Sequence, residues 1–153
     1  MNWKRALAVV GCIVAACCYI SVAQESGQGS TVIDQAEADA RGALESYFEA
    51  FNEADNDALQ GYMNYPHAFV GANGSIRVMD ERFDINFDRM NEDEGWHHST
   101  LDFAQSFLVK EDKVHFNIVF SRHRADNSAY RTVEGLWIMT RQDGHWGLSL
   151  RSY

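Results

Sequence analysis

Residues 33–51, IDQAEADARGALESYFEAF, repeat apolar side chains at intervals of three and four positions. The apolar positions are Ile33, Ala36, Ala40, Ala43, Leu44, Tyr47, Phe48 and Phe51. This spacing follows the 3.6-residue period of an α-helix, and the acidic residues fall mainly outside the apolar stripe. The pattern therefore predicts an amphipathic helix of about five turns with one face against a core.

The segment that follows predicts two shorter helices separated by a hairpin. Asn56 or Asp57 can cap a short second helix, which ends before Pro66. Two short apolar stretches then flank the dipeptide at residues 73–74, Asn-Gly, which is typical of a tight hairpin turn. Asp80 can cap a third helix that ends at Gly95.

Four longer strands account for the rest of the chain. Residues 99–110, 113–124, 129–141 and 145–153 alternate apolar and polar side chains, with turn residues between them. The predicted order is therefore α–α–β–β–α–β–β–β–β. We expect an α+β cone, in which a curved antiparallel sheet wraps around the long first helix and encloses a pocket.

Counting outward from two-residue turns at 111–112 and 143–144, and from a two- or four-residue loop around 126–127, predicts which strand residues face each other. Phe107 then opposes Phe116, Phe116 opposes Trp137, and Trp137 opposes Leu150. One face of the sheet carries Phe103, Phe107, Phe116, Phe120, Trp137, Met139, Trp146 and Leu148. We expect this aromatic-rich face to be the concave core.

The same register predicts the opposite, outer face of the sheet. Asp102 and Glu134 lie there, although a single bulge would turn Glu134 inward. Apolar residues share this face, namely Leu108, Val119, Leu136 and Ile138. The outer face is too apolar to be bare, which makes it a candidate dimer surface.

The first 23 residues have the parts of an export signal. Lys4 and Arg5 precede an apolar segment at 6–16, and Ser21 and Ala23 supply the small residues of a cleavage site. We expect a signal peptide at 1–23, a flexible spacer at 24–30 and one domain at 31–153, in a periplasmic or secreted protein. Two alternatives remain open: lipidation at Cys17, which would give a membrane-anchored lipoprotein, and an uncleaved membrane anchor.

Charge and cysteine content exclude several classes of function. The chain carries 22 acidic residues against 13 Lys and Arg, for a net charge of −9, which argues against nucleic-acid binding. Without the signal we expect no association with anionic membranes, unless Cys17 is lipidated. All 3 cysteines fall within residues 12–18, so a mature chain would have no disulfide and no thiol nucleophile. The chain has no phosphate loop, dinucleotide fingerprint or nucleophile elbow, and we predict no cofactor.

Four short stretches resemble a known superfamily: YFEAFN at 47–52, NYPH at 64–67, GWHHS at 95–99 and TRQDGHWG at 140–147. On these residues the chain resembles the NTF2-like superfamily, which includes SnoaL-like polyketide cyclases and ketosteroid isomerases, over residues 31–153. The resemblance implies the cone fold and a homodimer formed through the outer sheet face. It implies no particular reaction, because the superfamily hosts many unrelated activities.

Two arginines are the first candidates for ligand contact. The predicted register places Arg122 opposite Arg131, and two facing cations are destabilising unless an anion joins them. They can therefore bind a carboxylate or another anionic group. Alternatively, the third helix supplies an ion-pair partner such as Asp84 or Asp88.

His67 and Asp102 are the candidates for a general base. His67, at the start of the first strand, can act as a base or hydrogen-bond a ligand, or it can simply bond the backbone. Asp102 can abstract a proton, as a carboxylate does in some members of the superfamily. Alternatively, it is a sheet-surface aspartate paired with Ser121 or with a neighbouring basic residue.

Aromatic and histidine side chains complete the candidate set. Tyr47, Tyr65, Trp137 and His97 are further candidates for ligand contact in the pocket. His97 and its neighbour His98 point in opposite directions in an extended chain, which makes them a poor chelating pair. We predict no metal site.

These observations leave three hypotheses for function. In the first, the exported domain binds a small, partly apolar molecule in the cone without turnover. In the second, it is a cofactor-free, SnoaL-like lyase, isomerase or hydrolase with a His or Asp base. In the third, it is a structural dimerisation module whose cone is filled by aromatic side chains.

Overall fold

A computed structural model describes the backbone of residues 16–153 and the side chains of residues 29–153. The predicted signal peptide at 1–23 lies largely outside the described residues, so export, lipidation at Cys17 and membrane anchoring stay predictions. No helix within the described part of the chain has both the length and the hydropathy to cross a membrane.

The described part of the chain divides into two units, with the boundary between Val32 and Ile33. The described part of the first unit is helical, and helix α1 runs from Ala16 to Asn52. The helix therefore begins earlier than the apolar period predicts. Residues 24–30, which we expected as a flexible spacer, belong to it. This segment contains no proline, and its two glycines, Gly27 and Gly29, disfavour a helix without blocking it.

The second unit has the predicted element order. After α1 come α2 (Asn56–Gln60), β1 (Met63–Val70), β2 (Ile76–Met79), α3 (Phe87–Glu94), β3 (His98–Lys110), β4 (Lys113–His123), β5 (Ala129–Gln142) and β6 (His145–Ser152). The strands form one curved, unclosed sheet in the order β2-β1-β6-β5-β4-β3. All neighbouring strands are antiparallel except β1 and β6, which are parallel.

Neither short helix is capped at its N-terminus by a residue that the sequence predicts. The Asp55 side chain accepts hydrogen bonds from two backbone N–H groups at the start of α2. Asn56 instead exchanges side-chain hydrogen bonds with the backbone of Ile85, which fixes the segment before α3. Asn86, not Asp80, caps α3, and Gly95 ends that helix in the left-handed conformation, as expected.

The apolar stripe of α1 packs on the inner face of the sheet. Its buried members are Ala36, Ala40, Leu44, Tyr47, Phe48 and Phe51. Phe48 stacks on Trp137 of β5, with ring centroids 5.5 Å apart, and Tyr47 meets the same indole edge-on at 5.4 Å. The predicted helix face and its contact with the sheet are therefore confirmed.

The pairing of β4 with β5 follows the predicted register. Phe116 opposes Trp137, and Val119 opposes Glu134. Glu134 is exposed on the outer face. The predicted inner face is confirmed at six positions, Phe116, Phe120, Trp137, Met139, Trp146 and Leu148, all of which are buried.

The predicted positions of Phe103 and Phe107 are wrong. The register of β3 against β4 shifts twice, between Ser106 and Leu108 and between Leu101 and Phe103. Each shift by one residue exchanges the two faces of the strand, and the two phenylalanines are 49% and 54% exposed.

Smaller side chains take the inner positions of β3 in their place. Leu101, Ala104 and Val109 pack against the core, and the Ser106 hydroxyl donates a hydrogen bond to Glu37 of α1 at 2.5 Å. These short side chains leave room for the helix beside the edge of the sheet.

A third register shift changes the inner face of β6. Met139 opposes Leu148 as predicted, but Ile138 opposes Leu150, so Ser149 is an extra residue. Trp137 consequently opposes Arg151 instead of the predicted Leu150. The bulge thereby turns a guanidinium toward the core.

Position 135 of β5 has no room for a side chain, because the end of β6 passes close to its backbone. A Cβ atom at this position would lie 2.5 Å from the Ser152 carbonyl oxygen and 2.9 Å from the Tyr153 ring. We expect Gly135→Ala to lower the free energy of unfolding by about 1–3 kcal/mol, because the backbone must shift. Urea denaturation measures the change.

Gly42→Ala is the matched control for that substitution. Gly42 lies within α1, and a Cβ atom there would meet nothing within 4 Å. This variant should be more stable by about 0.5–1 kcal/mol, because alanine favours the helix. A Gly135→Ala protein as stable as the unmodified one would contradict the close approach.

Candidate functional site

A small cavity lies between α1 and the inner face of the sheet. Its lining residues are Tyr47, Phe48, Phe51, Ser99, Phe120, Arg122, Trp137, Arg151 and Tyr153. The unfilled space is about 270 Å³ when the open mouth is counted, but only about 30 Å³ is wide enough for water. The inner space therefore has room for one or two water molecules.

One half of the cavity wall is aromatic. Phe48, Phe120 and Trp137 pack against one another with centroid distances of 5.5–5.9 Å. The Trp137 side chain is buried, yet its indole N–H has no hydrogen-bond partner. This N–H lies near the Tyr153 hydroxyl, where it partly offsets the rise in pKa that burial causes. The two groups do not have the geometry of a hydrogen bond.

Arg151 supplies a positive charge to the wall. Its Nε donates to His67 Nε2 at 3.2 Å, and its NH1 donates to the Tyr47 hydroxyl at 3.3 Å. Both acceptors are uncharged groups. No ion pair joins Arg151 to any carboxylate among residues 29–153.

Arg122 supplies a second positive charge, which is partly neutralised. Its NH1 lies 2.9 Å from Glu94 Oε2, and the Tyr130 hydroxyl donates to the same oxygen. The partner does come from the third helix, but it is Glu94, not Asp84 or Asp88. The buried Arg122 Nε has no hydrogen-bond partner.

His67 is fully buried and has both ring nitrogens engaged. Its Nδ1 contacts the Leu148 carbonyl oxygen at 2.9 Å, and its Nε2 accepts from Arg151. Burial, together with the charge of Arg151, lowers the pKa of His67 to about 4. The imidazole is therefore neutral at pH 7, with Nδ1 as the donor, and it does not line the cavity.

Asp102 lies away from the cavity, at one of the β3 bulges. Its carboxylate accepts hydrogen bonds from the hydroxyls of Thr100 and Ser121, each at 2.6 Å. The structure thus shows the expected contact with Ser121. The side chain is exposed and does not line the cavity.

The other candidates divide between the cavity and the surface. Tyr47, Arg122 and Trp137 line the cavity, whereas Arg131, opposite Arg122, is exposed and does not. The Tyr65 hydroxyl donates to Gln60 Oε1 at 2.5 Å, outside the cavity lining.

The adjacent histidines lie together on the surface. His97 is exposed, and its Nδ1 approaches Nδ1 of His98 to 3.2 Å, so the two side chains do not point apart as an extended chain predicts. Across the described side chains, no group of three or more potential ligands is arranged to hold a metal ion.

The charges of Arg151 and Arg122 affect the pKa values of the two tyrosines that line the cavity. Burial raises the pKa of Tyr47, while the charges of Arg151 and Arg122 oppose this effect. Burial likewise raises the pKa of Tyr153 to about 12, against the same two charges. Both hydroxyls therefore stay protonated at neutral pH and can donate hydrogen bonds.

Sequence reasoning missed Arg151, Tyr153 and Ser99 as cavity residues. Arg151 faces inward only because of the bulge at Ser149, and the alternating sequence of β6 carries no signal for that bulge. Tyr153 is the last residue of one predicted strand and Ser99 is the first of another, and alternation alone does not fix the side-chain direction at strand ends.

Comparison with solved structures identifies the architecture. An NTF2-like protein of unknown function from Shewanella oneidensis MR-1 superposes with a TM-score of 0.54 at 16% identity, over 76% of this chain and 96% of that one. An NTF2-like protein with a cystatin-like fold from Novosphingobium aromaticivorans gives 0.57 at 11% identity, over 91% and 89%. This chain has the NTF2-like fold.

A third neighbour of the NTF2-like domain is a ketosteroid isomerase-like protein from Erwinia carotovora atroseptica. The TM-score is 0.52 at 15% identity, over 75% of this chain and 92% of that one. No protein-family model matches the chain, and no curated protein matches it significantly. At these identities the likeness is one of fold.

The buried His67 makes the stability of the NTF2-like domain depend on pH. Its pKa falls from 6.5 to about 4 on folding, so the unfolded chain binds more protons between these values. The stabilisation that neutral His67 contributes is complete above pH 6.5. The free energy of unfolding then falls by about 3 kcal/mol as the pH is lowered toward 4. Urea unfolding at steps from pH 7 to 4 measures it.

His67→Gln should remove that part of the pH dependence, because an amide does not titrate in this range. Its oxygen can still accept a hydrogen bond from Arg151, which preserves the local structure. His145→Gln is the control, since His145 is exposed on β6. An equally steep loss of stability in His67→Gln and in the unmodified domain would show that His67 is not the group responsible.

Proposed function

We propose that this NTF2-like domain binds a small, partly apolar molecule in the cavity between α1 and the sheet. The observation that carries the proposal is the composition of the wall, where aromatic rings stand beside buried N–H groups of Trp137 and Arg122 that lack partners. Ligand sites typically combine apolar walls with a few convergent polar groups. Unpaired buried donors are costly, and a ligand acceptor would remove that cost.

The size of the cavity limits what enters it. Typical sites for drug-sized molecules enclose about 300–1,000 Å³, far more than the 30 Å³ open to water here. Only a group of a few heavy atoms fits inside without movement of the wall. The rest of the ligand would lie in the mouth of the cavity.

The lining favours binding over proton-transfer chemistry. Among the described lining residues there is no Asp, Glu or His side chain. His67 has no free nitrogen, and Asp102 lies elsewhere. The hydroxyls of Tyr47 and Tyr153 have raised pKa values, which makes them donors and not bases.

Tryptophan NMR signals test the binding proposal. Benzoate, benzamide and benzyl alcohol are the probes, each titrated in turn. At least one of them should shift the Trp137 indole N–H signal until the shift reaches a plateau, because this residue lines the cavity. The Trp146 indole is also buried and unpaired but does not line the cavity, so its signal should not move.

Trp137→Phe and Trp146→Phe assign the two indole signals. If none of the three probes shifts the Trp137 signal, or if Trp146 responds equally, the cavity is not a binding site for small molecules of this kind.

We also propose, as a second function, self-association through the outer sheet face. Two observations favour it: the cone is largely filled by aromatic side chains, and the β3 bulges place Phe103 and Phe107 on the outside. These rings extend an apolar face that already includes Val119 and Leu136. A second copy of the chain is the proposed occupant, since an exposed apolar face of this kind is typical of interfaces.

Sedimentation or light scattering tests the self-association. Phe103→Ser combined with Phe107→Ser should weaken the dimer by tenfold or more, since large rings dominate such interfaces. Ile76→Ser is the control, because Ile76 is 70% exposed but lies on β2, at the other edge of the sheet. A purely monomeric unmodified protein, or equal effects of both changes, would refute this interface.

A further inference from the structure

We infer that the cavity binds the carboxylate group of a monocarboxylate with an apolar body, between the guanidinium groups of Arg151 and Arg122. The inference rests on the proposed binding function and names the chemical class of the ligand. It depends on donors, charge and shape at the site.

The cavity has more hydrogen-bond donors than acceptors. A guanidinium has five N–H groups, and described residues engage only two of those of Arg151. The Arg122 Nε–H and the Trp137 indole N–H are buried and unpaired. A carboxylate, which only accepts, would satisfy several of these donors at once.

The net charge at the cavity is also positive, although the protein is acidic. The chain carries 22 carboxylates against 13 Lys and Arg, so partners for an arginine are abundant. Arg122 has Glu94, but Arg151 has no ion-pair partner among residues 29–153. Its guanidinium carbon lies 5.8 Å from the Phe69 ring centroid and 5.9 Å from that of Phe83. Aromatic rings attract a cation but carry no counter-charge, which an anionic ligand would supply.

The surroundings hold Arg151 in position for such a ligand. His67 accepts from Nε, and its own orientation is fixed by the Leu148 carbonyl; the Tyr47 hydroxyl accepts from NH1. Because both acceptors are neutral, they orient the guanidinium without cancelling its charge. His67 and Tyr47 are therefore positioning residues. The remaining N–H groups of Arg151 are available to donate to a planar acceptor with two oxygens, such as a carboxylate.

Size and polarity favour a monocarboxylate over other anions. The inner volume of about 30 Å³ suits a carboxylate but not a larger head group. The remaining walls are the rings of Phe48, Phe51 and Phe120, which would contact an apolar body. A dianion such as phosphate would have more hydration to lose beside these rings than a monocarboxylate has.

Benzoate and benzamide provide a matched pair of probes, because they share one shape and differ in charge. We expect the unmodified protein to bind benzoate at least tenfold more tightly than benzamide by calorimetry or NMR titration. Inorganic phosphate and chloride should compete with benzoate only weakly. This comparison requires no variant and is independent of any folding defect.

Arg151→Gln then tests the residue. It should weaken benzoate binding by about tenfold or more and leave benzamide binding within about twofold. Arg131→Gln is the control, because it makes the same change in net charge at an exposed position outside the cavity. It should leave both affinities unchanged.

The outcomes separate this inference from the proposed function. Equal binding of benzoate and benzamide, or equal effects of Arg151→Gln and Arg131→Gln, would overturn the carboxylate site while leaving a binding cavity. Chloride or phosphate binding as tightly as benzoate would indicate a site for inorganic anions and would also overturn it. If no probe binds, both proposals fail.

Discussion

The structure depends on the packing of one helix face against one sheet face. Phe48 of α1 stacks on Trp137 of β5, and Tyr47 meets the same indole edge-on. Trp137 is also in the cavity wall, so the contact that joins helix to sheet is the contact that shapes the site. Because aromatic pairs add specific geometry to their buried area, the position of the helix and the form of the cavity are determined together.

Bulges determine which side chains enter that space. The two shifts in β3 move Phe103 and Phe107 outward and bring shorter side chains under the helix, while the shift in β6 turns Arg151 inward. Without the first change the cone would be crowded by two more rings. Without the second, its wall would lack the cation that His67 and Tyr47 hold.

These effects also explain how far the sequence predicts the structure. The helix stripe and the β4–β5 pairing follow from periodicity, because long regular patterns leave few alternatives. The faces of β3 and the end of β6 do not, since a bulge leaves no mark in an alternating sequence and reverses everything beyond it. Arg122 was accessible to prediction because its strand is regular, whereas Arg151 was not, because it lies beyond the bulge at Ser149.

The environment of His67 connects stability to the site. An imidazole that is buried next to a guanidinium must remain neutral, and its lowered pKa reflects that constraint. Arg151 has no carboxylate partner among the described residues, and its guanidinium instead lies against the rings of Phe69 and Phe83. A neutral acceptor beside Arg151 keeps this end of the cavity positive in an acidic protein, and the proposed carboxylate site depends on that charge.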